Sequence, residues 1–282
     1  MNSIGVVGQG FVGTAVREGF QDILDVYTFD INKDTNCKSL EDLCSKAKVV
    51  FVCVPTPMKR DGSCSTDVVE QVIMDLDNLS DGHIAVIKST IPPGTTKSFA
   101  KKYKNISIIF NPEFLTEANF VEDFKNQDRI IIGGPRPAST IIKNLYRKKF
   151  PSTPILKTGS TTAEMVKYFC NCFLATKVSF SNEMRQVCEN KNIDYDKVVE
   201  YSLYDKRIGN THLSAPGPDG KYGFGGSCFP KDVNAMLSVM KSLDIQPYVL
   251  QGVWDKNLEV RPERDWESLL GRAVLDEKGE TK

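Results

Sequence analysis

Two short stretches of this sequence combine residue types that can do chemistry. The first is Gly223-Phe-Gly-Gly-Ser-Cys228-Phe-Pro-Lys231-Asp232. Its glycines let the backbone come close to a ligand, and Lys231 together with the start of the next helix would favour thiolate over thiol at Cys228. The stretch suits a nucleophilic cysteine, and equally a buried structural cysteine in a glycine-rich turn. The second is Gly8-Gln-Gly10-Phe11-Val12-Gly13, which follows a short apolar run and opens a helical pattern. In that context Gly8 permits a tight turn, Gly10 lets a pyrophosphate reach the backbone, and Gly13 lets helix and strand pack closely. Phosphate oxygens would then meet the positive end of the helix dipole. Asp30, about twenty positions after Gly10, is placed to accept hydrogen bonds from an adenosine ribose and to repel a 2′-phosphate, which favours NAD over NADP.

The elements that must hold these residues can be read from the apolar pattern. Short Val- and Ile-rich runs recur at 3–8, 26–31, 49–54, 84–89, 106–110 and 129–133. They alternate with helical stretches at 14–22, 39–46, 68–79 and 95–103. Such alternation argues for an α/β fold, a doubly wound parallel sheet of the Rossmann type covered on both faces, over residues 1–158. From Ser160 the pattern changes. Thr161 and Glu164 read as a capping box, and a long helix is predicted to about Asn190. Residues 205–230 are rich in Gly and Pro, and helices follow at 232–243 and 248–258. A mostly α-helical second domain over 159–257 and a charged tail over 258–282 complete the division.

Composition narrows the class of function. In 282 residues, 36 Lys and Arg balance 36 Asp and Glu, which removes the electrostatic case for nucleic acid or an anionic membrane surface as partner. No apolar run approaches a membrane span, and the N-terminus lacks a signal-peptide pattern, so a cytoplasmic location is expected. The eight cysteines form no CxxC pair and only His83 and His212 are available beside them, so neither a metal site nor a disulfide framework is expected.

Seven ordered motifs go further. The glycine fingerprint, Val54-Pro-Thr56-Pro57, Ser89-Thr90-Ile-Pro92, Asn111-Pro-Glu113-Phe-Leu-Thr-Glu117, Ala163 through Lys167 to Asn171, Arg207-Ile-Gly-Asn210 and Gly223–Asp232 together closely resemble the UDP-glucose/GDP-mannose dehydrogenase family up to about Asn257. The resemblance implies a four-electron oxidation of a sugar C6 alcohol to a carboxylate with two NAD. It makes Cys228 the nucleophile that forms a thiohemiacetal and then a thioester. It also implies that Lys167 and Asn171 stabilise the oxyanion, that Asp232 and Thr90 hold a water involved in proton transfer, and that Glu117 is the base for thioester hydrolysis. By the same resemblance Phe11, Val12, Thr56, Thr90, Glu117 and Lys231 join Gly8, Gly10, Gly13 and Asp30 around the cofactor. Glu113, Glu117, Lys167, Asn171, Arg207, Gly217, Lys221, Gly225 and Cys228 would face the substrate. UDP-glucose is the substrate the resemblance favours, giving UDP-glucuronate for polysaccharide precursors. GDP-mannose and UDP-N-acetyl sugars are the alternatives.

The sequence departs from the family pattern after the central helices, where members continue into a third domain that binds much of the nucleotide. The 25 residues from Leu258 are too few for another βαβ unit, which takes roughly 30 or more. A short form, a fragment, or a catalytically incompetent NAD-binding module each fits that observation, and weak binding of the nucleotide end is expected. Apolar residues on several faces of the 160–190 helix, including Phe169, Phe173, Val178 and Phe180, with Arg207 implied to reach a neighbouring subunit, predict a homodimer built across that helix and 248–258.

Overall fold

The structure, a computed structural model, describes residues 2–275. The chain divides into two units, Met1–Thr56 with Ser65–Lys167, and Pro57–Cys64 with Tyr168–Lys282. The dividing point falls inside the long helix, between Lys167 and Tyr168, rather than ahead of it near residue 158. Pro57–Cys64 belongs to the second unit because Met58 pairs in bridges with Cys64 and Val274.

The first unit is built on a seven-stranded sheet ordered β2-β1-β3-β4-β5-β6-β7. The strands are β1 (Ser3–Val7), β2 (Asp25–Phe29), β3 (Val49–Val52), β4 (Ile84–Ile87), β5 (Ser107–Phe110), β6 (Ile130–Gly133) and β7 (Ile155–Thr158). Side chains alternate across a strand, so one run of apolar residues feeds two cores. Ile4, Val6, Val49 and Phe51 pack on one face with α1 (Phe11–Phe20) and α6 (Ala138–Lys149). Val7, Val50 and Val52 pack on the other with α2 (Leu40–Lys46), α3 (Asp67–Asn78) and α4 (Thr95–Lys102). Burial on both faces explains why these strands read as unbroken apolar runs.

The expected parallel sheet holds for the five strands β2 to β5. It does not hold for β6, which meets β5 antiparallel at Phe110 and Gly133, with β7 parallel to β6. The β5–β6 connection carries only the short helix α5 (Phe120–Lys125), which lies on α1 instead of crossing over the sheet. A Cβ at Gly19 would fall 2.2 Å from the Phe124 ring, so the two helices approach closely.

In the long helix α7 (Ser160–Lys191), Thr161 is the second helical residue and not the cap ahead of it. Glu164 instead accepts from the backbone amides of Gly94 (2.5 Å) and Thr96 (2.8 Å), capping the start of α4. In the second unit Tyr168, Cys172, Ala175 and Val178 of α7 pack with Phe224, with α9 (Cys228–Ser242) and with α10 (Tyr248–Val260). A helix not expected from the sequence, α8 (Tyr195–Ser202), follows α7, with Asp194 as its side-chain cap. The expected charged tail is corrected over its described part: Arg261, Trp266 and Ala273 are buried, and Asp265–Ser268 forms a 3-10 helix. Residues 276–282 of that segment lie outside the described residues.

Candidate active site

The order switch of the sheet, where β1 sits between β2 and β3, is where the glycine fingerprint stands. Gly8 leaves β1 with φ +88°, and a Cβ there would lie 2.7 Å from the Cys53 carbonyl. A Cβ at Gly13 would lie 1.8 Å from the Gly8 carbonyl, so strand and helix meet backbone to backbone. At Gly10, by contrast, a Cβ would meet no atom within 4 Å. Gly10 caps α1 without a side-chain hydrogen bond, and the first turn, which begins with Phe11 and Val12, has no acidic residue. An open approach to an uncapped helix start fits a pyrophosphate. Asp30 follows β2 directly, and its carboxylate accepts from the amides of Gln9 (2.6 Å) and Asn32 (2.8 Å), which fixes it beside the glycine turn with acceptor capacity remaining for ribose hydroxyls. Thr56 is buried after β3. These residues fit NAD.

The same unit contains a buried charge cluster. Lys167 donates to the Glu113 carboxylate (2.9 Å) and carbonyl (2.8 Å), with both side chains buried. Burial would raise the Glu113 carboxyl, but the Lys167 ammonium more than offsets it and leaves the group below its ordinary value. Lys88, which no sequence motif marks, donates to the carbonyl and side chain of Asn111 at 3.2 and 3.1 Å. Its burial depresses it to about 8. Thr90 is buried just beyond β4, and Glu117 is exposed in the turn after β5.

In the second unit Cys228 is the first residue of α9, with Ser227 at the N-cap position but making no side-chain capping hydrogen bond. The helix begins four residues earlier than its apolar pattern suggests, because Pro230 in the first turn needs no amide partner. A thiol at a helix start gains from the dipole when it ionises. One turn on, Asp232 pairs with Lys231 and accepts from the Asn171 amide at 2.6 Å, all three being buried. Burial alone would lower Lys231, but the Asp232 carboxylate, with Cys64 and Cys228 nearby, holds it above the ordinary lysine value. A buried ion pair contributes little net stability once desolvation is counted, so its presence beside Cys228 points to chemistry more than to folding. All eight cysteines are thiols. Burial pushes Cys44 up to about 11 and Cys53 and Cys172 up to about 12, which makes them poor nucleophiles.

The remaining predicted substrate residues lie on the loop before α9. Gly217 donates its amide to the Lys221 carbonyl (2.7 Å), closing a turn, and Lys221 pairs with Glu263 at 3.1 Å. Gly225 packs against Arg261 and Asp265. Arg207 is exposed and paired to Asp205, so it is not gathered with the others. Residues missed from the sequence are Asn182, Asn257, Arg261 and Asp265, which bond to this loop. The four-residue spacing of Asn257, Arg261 and Asp265 was the available signal.

Among the described residues no helix is long and apolar enough to cross a membrane, and no group of three metal-ligating side chains is present. Comparison with known proteins matches residues 34–150 to the NAD binding domain of the UDP-glucose/GDP-mannose dehydrogenase family and residues 161–259 to its central domain. A UDP-glucose 6-dehydrogenase of Rickettsia bellii is 37% identical over 75% of this chain and 49% of its own length. UDP-glucose 6-dehydrogenase AglM of Haloferax volcanii is 29% identical over 98% of this chain and 74% of its own. The solved UDP-glucose dehydrogenase of Pyrobaculum islandicum superposes with TM-score 0.84 at 30% identity, over 95% of this chain and 70% of that one. The chain spans about half the length of several curated relatives it matches. With an NAD-type glycine turn in one unit and a cysteine-headed helix in the other, the chain belongs to the UDP-glucose/GDP-mannose dehydrogenase family.

Proposed function

We propose that this chain is an NAD-dependent nucleotide-sugar 6-dehydrogenase that converts UDP-glucose to UDP-glucuronate. The observation that carries the reading is Cys228 at the start of α9 with the buried Lys231, Asp232 and Asn171 beside it. UDP-glucose is preferred because the matched relatives are named for it. When bound, NAD supplies the two-electron acceptor for each oxidation.

Each residue then takes one part of the work. Loss of hydride and proton from C6 gives an aldehyde, to which the Cys228 sulfur adds, forming a C–S bond and an oxyanion that the Lys167 ammonium and Asn171 amide stabilise. The Glu113 carboxylate orients Lys167 for that role. Oxidation of the thiohemiacetal leaves a thioester. Water activated by Glu117 cleaves the C–S bond, returning the thiol and releasing the carboxylate. Asp232 and Thr90 hold the water that carries protons. A module that only bound NAD would have no use for the Lys231–Asp232–Asn171 network, which favours the enzyme over a binding role.

Self-association supports the same reading. Phe169, Phe173, Phe180 and Val187 leave more than half of their surface exposed along α7, with the Phe169 and Phe173 rings stacked at 6.4 Å. An apolar stripe of this kind is covered most simply by a second copy, giving a homodimer. The test is NADH production with UDP-glucose, GDP-mannose and a UDP-N-acetyl sugar. Turnover confined to UDP-glucose supports the reading, and none with any sugar overturns it.

A further inference from the structure

The segment after α10 reads by composition as solvated charge, yet it turns inward. Arg261 and Asp265 are joined Nε to Oδ1 at 2.6 Å, and the Arg261 side chain is only 3% exposed. The same guanidinium donates to the Asp219 carboxylate at 2.7 Å and to the Tyr222 carbonyl at 3.3 Å. Asp265 in turn accepts from the Gly226 amide at 3.3 Å. One turn upstream, the fully buried Asn257 both accepts from the Phe224 amide (2.7 Å) and donates to the Phe224 carbonyl (3.0 Å).

These contacts reach the backbone of the loop at 222–226, not its side chains, so they fix the path of the chain into Cys228. The loop is shaped to receive them. A Cβ on Gly225 would lie 2.4 Å from Arg261 Nη2 and 2.5 Å from Asp265 Oδ2, and one on Gly223 would lie 2.5 Å from Asn257 Oδ1. Gly225 is therefore needed for the guanidinium that packs against it, a reason separate from any contact with substrate. Trp266, 1% exposed and 5.4 Å from the Trp254 ring, anchors the segment.

We propose that Arg261 and Asp265 are positioning residues for the nucleophile. They clamp the glycine loop that presents Cys228 and tie it to the substrate loop at Gly217–Lys221, so that thiol and sugar are brought to register together. The proposal rests on the assignment of Cys228 as nucleophile. A planar guanidinium can hold two carboxylates and a carbonyl at once, and a lysine at 261 keeps the charge but not the fork. A small displacement of a reacting group costs up to roughly a hundredfold in rate, which sets the scale of the effect.

The test compares the full chain with its Arg261→Lys and Asp265→Ala variants, using UDP-glucose and NAD with a hydrazine probe for released aldehyde. NAD affinity, to which the glycine turn and Asp30 of the other unit contribute most, serves as the control for folded protein. A misplaced thiol captures the aldehyde poorly. The variants should then bind NAD as the parent does, lose roughly ten- to a hundredfold in kcat, and release aldehyde so that fewer than two NADH form per sugar consumed. Lower activity with two NADH per sugar and no free aldehyde would mean a smaller folded fraction only, and would overturn the proposal. Hydrogen exchange of the 222–228 peptide reads the clamp without turnover. It should quicken at least tenfold in both variants while the 170–185 stretch of α7 stays unchanged. If the parent itself makes no NADH, the dehydrogenase reading falls and exchange alone decides the clamp, with unchanged exchange refuting it.

Discussion

Gly10 and Gly13 make the same substitution give opposite results. A methyl at Gly10 meets no atom within 4 Å, and its φ of −68° is open to alanine, so Gly10→Ala costs the fold only the roughly 0.5–1 kcal/mol by which glycine is the better helix cap. The melting temperature should move by no more than about 4 °C. A methyl at Gly13 would sit 1.8 Å from the Gly8 carbonyl oxygen, backbone against backbone, and overpacking of that kind costs about 1–3 kcal/mol or more. The open face at Gly10 is where the pyrophosphate must approach, so Gly10→Ala should weaken NAD at least tenfold, about 1.4 kcal/mol, in a protein nearly as stable as its parent. Gly13→Ala should lose stability and NAD binding together. Thermal melting by circular dichroism and calorimetric titration with NAD measure both quantities. A Gly10→Ala protein that binds NAD like the parent, or that melts as low as Gly13→Ala, would refute the placement of the cofactor on this turn.

NAD should be strongly preferred over NADP because Asp30 repels a 2′-phosphate, and Asp30→Ala should narrow the gap when the two cofactors are compared at equal concentration. Lys88 is buried and depressed to about 8, so it is charged at neutral pH at a cost to the fold. The unfolded chain holds that proton up to about 10.5, so stability rises with pH between the two values, by roughly 2 kcal/mol at pH 10 relative to Lys88→Met. Urea unfolding of both proteins at pH 7 and 10 checks this, and a constant difference between them would refute it. Phe173→Glu should convert a dimer to a monomer at micromolar concentration by light scattering, and a parent already monomeric would refute the α7 interface.

What the sequence could disclose follows from where each residue finds its partners. Strands β1 and β3 to β6 were legible because burial on both faces writes them as Val and Ile runs, and the edge strand β2 because Val26, Tyr27, Thr28 and Phe29 all favour extended chain. The edge strand β7 was not, since Leu156 is half exposed and Lys157 is not apolar. Helix α6 buries Ala138, Ile142, Leu145 and Tyr146 at helical spacing, so its pattern was present but unread. The Cys228, Lys231 and Asp232 group was legible because its members adjoin in sequence. Asn257 and Arg261 were not, because their loop partners lie more than thirty residues away and paired charges turned inward look like solvated ones. Glu164 misled for the same reason: its local spacing fits a capping box, while its carboxylate serves amides 68 and 70 residues distant.

The claim on which the rest depends is that Cys228 carries the sugar as a thioester. The direct measurement is NADH formed per UDP-glucose consumed, in the parent and in Cys228→Ser, with NAD affinity recorded for both. The parent should give two NADH per sugar, and Cys228→Ser should bind NAD equally well yet yield no UDP-glucuronate, because hydroxyl is too weak a nucleophile to take the thiol's place. A Cys228→Ser protein that still forms two NADH per sugar would contradict the account.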